Sequence, residues 1–151
     1  MTQVATMGHG QIGDYARLLH TMLRVADLDR SIAFYSGLLG MTLFRREAYP
    51  EGRFTLAFLG YGSEASSTVL ELTHNWDATT YEKGNAYGHV AVGVESALSA
   101  CTELAAKGVR VVRPAGAMTH FSPDRAEPEV IAFVEDPDGY RVELIEILPK
   151  R

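Results

Sequence analysis

The chain has a single cysteine, Cys101, among its 151 residues. That excludes an intrachain disulfide framework and any zinc site built from several thiolates. Any metal it holds must be held by histidine and carboxylate. Long apolar runs are also missing, and none approaches the roughly 18 residues of a membrane-spanning helix. Positive charge is in deficit: the net charge is −5, which argues against non-specific binding to nucleic acid or to an anionic membrane surface. The opening stretch MTQVATMGHGQIGDYAR has no apolar core, so a secretory signal is not expected and the cytoplasm is the expected compartment. What is present is ordinary for a folded domain, with 46% hydrophobic and 22% charged residues, near globular averages. A chain of this length makes one domain and buries enough surface to fold without a staple.

Internal repetition is the strongest feature. HTMLRVADLDRSIAFYSGLLGMTLFRR, from His20, aligns with HVAVGVESALSACTELAAKGVRVVRP, from His89. Each opens with His on an alternating apolar run, passes an acidic turn (Asp27-Leu28-Asp29 or Glu95-Ser96) and enters an amphipathic stretch. Each then meets a glycine and a second apolar run. FTLAFLGYG and STVLELTH close the first half; EVIAFVEDPDG and YRVELIEI close the second. The expected order is strand, helix, strand, strand, strand, twice over. Within Leu28–Leu39, Ile32, Tyr35, Leu38 and Leu39 recur at helical spacing, with Asp27 placed to cap and Gly40 to stop. Ala97, Ala100, Cys101, Leu104 and Ala105 repeat the pattern, with Gly108 as the stop. Asp136-Pro137-Asp138-Gly139 is a strong turn signal, matched near Gly60–Gly62 in the first half. The fold class is therefore α+β, two tandem βαβββ repeats whose curved mixed sheets form a cleft, a natural ligand site. The domain spans 17–148, with repeat one at 17–76 and repeat two at 86–148. Residues 1–16 form an N-terminal extension carrying His9, and 149–151 form a tail.

The chemistry falls at matching places in the two halves. His20 begins the first strand of repeat one and Glu71 lies in its last strand; His89 and Glu143 stand likewise in repeat two. The separations are 51 and 54 residues. Both glutamates sit in apolar strands, Val69-Leu70-Glu71-Leu72 and Val142-Glu143-Leu144-Ile145. A carboxylate there is costly to bury unless it is paired or binds a cation. Alternation puts the leucines under the helix and the glutamate on the opposite face. One such histidine is usually structural, and one such glutamate usually faces water. The duplication of the pair makes coincidence the weaker account. Imidazole and carboxylate together suit Ni, Co, Fe, Zn or Mn.

At these residues the sequence resembles bacterial glyoxalase I, the lactoylglutathione lyase family of the vicinal oxygen chelate superfamily. LLHTMLRV, IAFY followed by LGM, FTLAFLGYG, STVLELTHNW, AYGHVAVGV and IAFVEDPDGYRVELIE carry the resemblance over residues 17–148. It implies a glyoxalase-like fold with His20, Glu71, His89 and Glu143 as metal ligands. It also implies a homodimer whose sites each take the first-repeat pair from one chain and the second-repeat pair from its partner. The zinc-type eukaryotic enzymes carry Gln at the first ligand position; His20 there implies the nickel- or cobalt-activated type, with nickel foremost and zinc the weaker candidate. The implied reaction converts the hemithioacetal of methylglyoxal and glutathione to S-D-lactoylglutathione, detoxifying methylglyoxal. The implied base is Glu143, with Glu71 the second candidate for proton return. Arg24 and Asn75 match residues that hold the peptide's polar ends. On the same fold, a ring-cleaving dioxygenase would use two His and one carboxylate on iron, and the fourth ligand argues against it. A non-enzymatic drug-binding protein needs no such quartet.

One departure concerns the thiol. Where the family often has a lysine contacting the glycine carboxylate, Thr119 stands here. The loop Pro114–Glu129 is longer than usual and stiffened by Pro123 and Pro128, and Arg125 or His120 are the candidate replacement cations. His74 and Trp76 follow Glu71 either as pocket lining or as rim packing. Cys101 lies on the apolar stripe of its helix and reads as a small core residue.

Overall fold

The computed structural model describes residues 12–120 and 122–148; His9, residues 1–11 of the extension and the 149–151 tail lie outside them. Among the described residues, eight strands form two four-stranded sheets. β1 (His20–Arg24), β2 (Thr42–Tyr49), β3 (Phe54–Gly60) and β4 (Val69–Asn75) make the first, in spatial order β1-β4-β3-β2. β5 (His89–Val94), β6 (Val111–Ala117), β7 (Val130–Glu135) and β8 (Arg141–Glu146) make the second, in order β5-β8-β7-β6. In each sheet the repeat's first strand runs parallel to its last, and the remaining pairs are antiparallel. The βαβββ duplication expected from the sequence is what the chain adopts. Among the described residues no helix is long and apolar enough to cross a membrane.

Alternation assigns the faces. Leu23, Ala57, Leu59, Leu70 and Leu72 point to the helix side of the first sheet and are buried; Val92, Ala132, Val134, Val142 and Leu144 do the same in the second. These residues belong to one continuous core that crosses both repeats. Leu72 and Leu144, the leucines that follow the two glutamates, are 0% exposed.

The helices obey their caps. Asp27 accepts a hydrogen bond from the Arg30 amide at 3.0 Å and starts α1 (Leu28–Ile32). Ser96 does the same through the Ser99 amide at 3.2 Å for α2 (Ala97–Ala106). Gly40 and Gly108 stop the helical segments at φ 74° and 85°, a conformation that an L side chain resists. The first helix departs from a regular α spacing: Ala33–Leu38 is wound as a π-helix, with the Leu39 amide bonded to the Phe34 carbonyl at 3.0 Å. The wider turn places the consecutive Phe34 and Tyr35 both inside, at 5% and 0% exposure, so Phe34 joins a stripe that the 3.6-residue period left it out of. Ala105, expected on the buried stripe of α2, is exposed.

The Asp136–Gly139 turn does more than reverse the chain. Asp136 Oδ1 accepts from the amides of Asp138 and Tyr140 at 2.9 and 2.8 Å, and its Oδ2 accepts from the Tyr35 hydroxyl at 2.7 Å. Asp138 accepts from the Ala26 amide at 2.9 Å and from Ser31 Oγ at 3.2 Å. The Tyr140 hydroxyl donates to the Arg24 carbonyl at 2.7 Å. A turn of repeat two is thereby fastened to the β1–α1 junction of repeat one. Burial pushes the Asp136 carboxyl above the ordinary carboxylate range, and burial followed by the neighbouring Asp136 pushes the Tyr35 phenol up.

Candidate functional site

Register brings each histidine to its glutamate. In the parallel β1–β4 pair, His20 stands opposite Val69 and Met22 opposite Glu71. In β5–β8, His89 stands opposite Arg141 and Ala91 opposite Glu143. Each glutamate is thus two residues beyond the partner of its histidine, on the same face. His20 Nε2 lies 2.7 Å from Glu71 Oε2, and His89 Nε2 lies 2.8 Å from Glu143 Oε2. The side-chain exposures match as well: 40% and 13% for the first pair, 40% and 11% for the second. The antiparallel neighbour supplies an aromatic wall in both. Phe58 is opposite Glu71 and meets the His20 ring edge-on at 5.7 Å; Phe133 is opposite Glu143 and meets the His89 ring at 5.1 Å. These phenylalanines were not singled out in the sequence, although the duplicated Ala57-Phe58 and Ala132-Phe133 were the available signal.

A single chain does not bring the four candidate ligands to one point. Among the described residues no group of three or more His, Cys, Asp or Glu shares a position where a metal ion could sit. A cavity of about 690 Å³ between the first sheet and β5 includes His89 but none of the other three. The chain presents two candidate half-sites, each with one imidazole nitrogen and one carboxylate, and each glutamate side chain is largely withdrawn from water. Such a donor set fits a divalent first-row ion. Cys101 is buried in the core as a free thiol and has no part in either half-site.

The residues expected to hold a peptide thiol lie along the same face as His20. Arg24 lines a cavity of about 230 Å³ with Met22, Tyr81, Lys83 and Tyr140. Its guanidinium has no ion pair among the described residues. The Asn75 side-chain amide donates to the Tyr81 hydroxyl at 3.3 Å, placing Asn75 beside the same cavity. Lys83, which the sequence did not single out, has its ammonium 5.0 Å from the Tyr140 ring centroid. His74 and Trp76 are packing residues: His74 Nδ1 is 3.3 Å from the Val25 carbonyl oxygen, and the Trp76 indole donates to Thr55 Oγ1 at 2.9 Å.

The long loop is shorter than its sequence suggested. β6 continues through Pro114 to Ala117, and the Met118 amide bonds to the Glu129 carbonyl at 2.9 Å, leaving 118–129 as the loop. The extension depends on Arg113, whose guanidinium donates to the carbonyls of Pro114, Gly116, Ala117 and Ile131 across an irregular register. Proline is tolerated in a strand at such an irregularity. Thr119 is exposed. His120 and Arg125 line a cavity of about 310 Å³ within the loop, and Arg125 is paired with Glu129 at 3.3 Å.

The duplicated sheets and their His/Glu half-sites define a class. The chain belongs to the Glyoxalase/Bleomycin resistance protein/Dioxygenase superfamily, whose family match covers residues 17–144. Within it, the chain is 60% identical over 130 residues to the lactoylglutathione lyase of Neisseria meningitidis serogroup A, covering 86% of this chain and 90% of that protein. It is 53% identical over 134 residues to a probable lactoylglutathione lyase of Synechocystis, covering 89% and 98%. Among solved structures it is similar to the trypanothione-dependent glyoxalase I of Leishmania major, with a TM-score of 0.72, 46% identity and 86% of each chain covered. Glyoxalase I of Zea mays gives a TM-score of 0.79 at 36% identity over 89% of this chain; this chain spans only 46% of the maize chain.

Proposed function

We propose that this chain is a lactoylglutathione lyase, converting the hemithioacetal of methylglyoxal and glutathione to S-D-lactoylglutathione in the cytoplasm. It acts as a homodimer with two sites, each joining His20 and Glu71 of one copy to His89 and Glu143 of the other. The observation that carries this reading is the twofold His/Glu arrangement: identical register offset, near-equal distances and near-equal exposure in two pairs that stay apart within one chain. Two equivalent half-sites per chain are what a symmetric dimer needs to build two complete centres. The strong identity to lactoylglutathione lyases supports the reaction.

The four residues would hold a divalent ion, nickel foremost, then cobalt, with zinc the weaker candidate. When bound, such an ion supplies positive charge against the negative charge that develops on two adjacent oxygens, worth several kcal/mol. The protein's own part is proton transfer and orientation. Glu143 takes the proton from the carbon next to the carbonyl through a carboxylate oxygen, and Glu71 serves the opposite side of the substrate in its return. General-base help of this kind contributes about 10²–10⁴-fold. Phe58 and Phe133 pack edge-on against His20 and His89 and restrict the orientation of the imidazoles. Arg24 and Asn75 orient the thiol peptide along β1 and β4. Reconstituting the metal-free protein with nickel, cobalt or zinc, then following thioester formation from methylglyoxal and glutathione, tests the reading. The expected order of turnover is nickel, cobalt, zinc; no thioester with any of the three would refute it.

A further inference from the structure

The two half-sites are built alike but are not held alike. β1 and β5 are both edge strands, each with one neighbour among the described residues, β4 and β8, so the place of each histidine depends on one register. What differs is how the connection into the glutamate-bearing strand is tied. In repeat two, the connection that leads into the glutamate-bearing strand is the Asp136–Gly139 turn, tied by its own carboxylate. In repeat one the corresponding connection is residues 61–68, between β3 and β4, and Arg17 ties it. Arg17 Nη2 donates to the Ala65 carbonyl at 2.9 Å and to the Glu64 carbonyl at 3.3 Å, while Nη1 donates to the Ser67 carbonyl at 3.2 Å. The residues between Arg17 and His20 complete the seam. Thr68 Oγ1 donates to the Leu18 carbonyl at 2.7 Å, and the Val69 amide donates to the Leu19 carbonyl at 3.0 Å.

The same connection reaches the His/Glu face by a second route. The Glu64 carboxylate accepts from Arg45 Nε at 2.7 Å. The Arg45 guanidinium lies 3.5 Å from the centroid of the Phe58 ring, which in turn packs edge-on against His20. A closed circuit therefore runs from Arg17 through the 64–67 carbonyls, Glu64, Arg45, Phe58 and His20, and back along three peptide units. No such circuit occurs among the described residues of repeat two. Ala86 stands three residues before His89, where Arg17 stands three before His20. Arg113, the register counterpart of Arg45, commits its guanidinium to backbone carbonyls.

We infer that Arg17 is a positioning residue for the His20–Glu71 half-site, locking the β1–β4 register so that the two ligands stay paired. The inference rests on reading that pair as half of a metal centre. The planar guanidinium fork is what spans three carbonyls; a lysine ammonium, a point charge on a flexible stem, does not replace it. Arg17 is exposed, so its removal leaves the core intact.

The test uses the full chain with Arg17→Met and Arg17→Lys, and Cys101→Ala as a control that loosens the core from repeat two. Amide hydrogen exchange is read in β1–β4 and β5–β8 of the metal-free protein, and cobalt affinity by visible absorption titration, with His20→Ala alongside. Both Arg17 variants should speed exchange in β1–β4 about tenfold or more, leave β5–β8 unchanged, and weaken cobalt binding about 10–100-fold, the range for residues that orient a ligand. Cys101→Ala should leave cobalt affinity unchanged. Unchanged exchange in β1–β4, equal acceleration in both sheets, or unchanged cobalt affinity despite faster exchange would overturn the inference. If His20→Ala binds cobalt as tightly as the wild type, the metal-centre reading fails separately, and β1–β4 exchange alone then decides whether Arg17 holds the pair.

Discussion

Mixing two inactive variants gives a quantitative test of shared sites. Glu71→Gln and Glu143→Gln each keep the size and hydrogen-bonding capacity of the side chain while removing a carboxylate. In a homodimer of either variant, every site carries one lesion if the site joins the His20–Glu71 pair of one copy to the His89–Glu143 pair of the other. For Glu143→Gln, turnover at saturating metal should fall at least about 10²-fold, the lower end of general-base contributions. Folding should survive, because a neutral amide is cheaper to bury than an unpaired carboxylate. Now let equal amounts of the two variants exchange subunits. About half of the dimers are mixed, and in each of these twofold symmetry gathers both lesions into one site and leaves the other intact. Recovery should therefore reach about a quarter of wild-type activity per chain, a half of the dimers with half of their sites. Sites built within one chain give no recovery, since every chain then carries a lesion in its own site. The assay is thioester formation on the mixture, with mixed dimers isolated through two different affinity tags. Activity of verified mixed dimers no higher than that of the parents refutes the shared site. Recovery well above a quarter points to preferential pairing, which the tag-resolved fractions quantify.

Three further outcomes follow from the geometry. Arg24→Met should raise KM for the hemithioacetal about 10–100-fold with kcat within about twofold, since a charge-assisted contact used equally in ground and transition states is worth about 1.5–3 kcal/mol; steady-state kinetics with unchanged KM would contradict its role. Tyr35→Phe leaves Asp136 Oδ2 without its donor between the repeats and should cost about 1.5–3 kcal/mol, lowering the melting temperature by about 3–12 °C for a chain of this size; a calorimetric shift near zero would show that the latch contributes nothing. Asp136, held above the ordinary carboxylate range by burial, binds its proton to higher pH in the folded than in the unfolded chain. Its contribution is therefore most favourable at low pH and is lost as pH rises through the folded value. Urea midpoints of Asp136→Asn relative to wild type should rise as pH increases above the ordinary carboxylate range of about 4, and a constant or falling difference would reverse the sign of that reasoning.

Much of this protein was legible along the chain because its causes are local. Period-two alternation around Leu70 and Leu72, helical spacing in Leu28–Leu39, the Asp27 and Ser96 caps and the glycine stops are each set within a few residues. The duplication of those signals exposed the two repeats and the His/Glu pairs. Tertiary structure decided what depends on distant partners. Strand register sets the offset that brings His20 to Glu71 and His89 to Glu143, and no local pattern states which residue of β4 or β8 will lie opposite β1 or β5. The π-helical winding of Ala33–Leu38, which turns Phe34 inward beside Tyr35, accompanies the hydroxyl's reach to Asp136 more than a hundred positions away in sequence. Arg113 lengthens β6 by meeting Ile131 across the sheet, so the loop began later than its proline suggested. Most of all, the sequence offered four candidate ligands, while the folded chain sorts them into two pairs. Side chains on separate sheets meet only where backbone geometry carries them, and within one chain it carries each histidine to its own glutamate and no further.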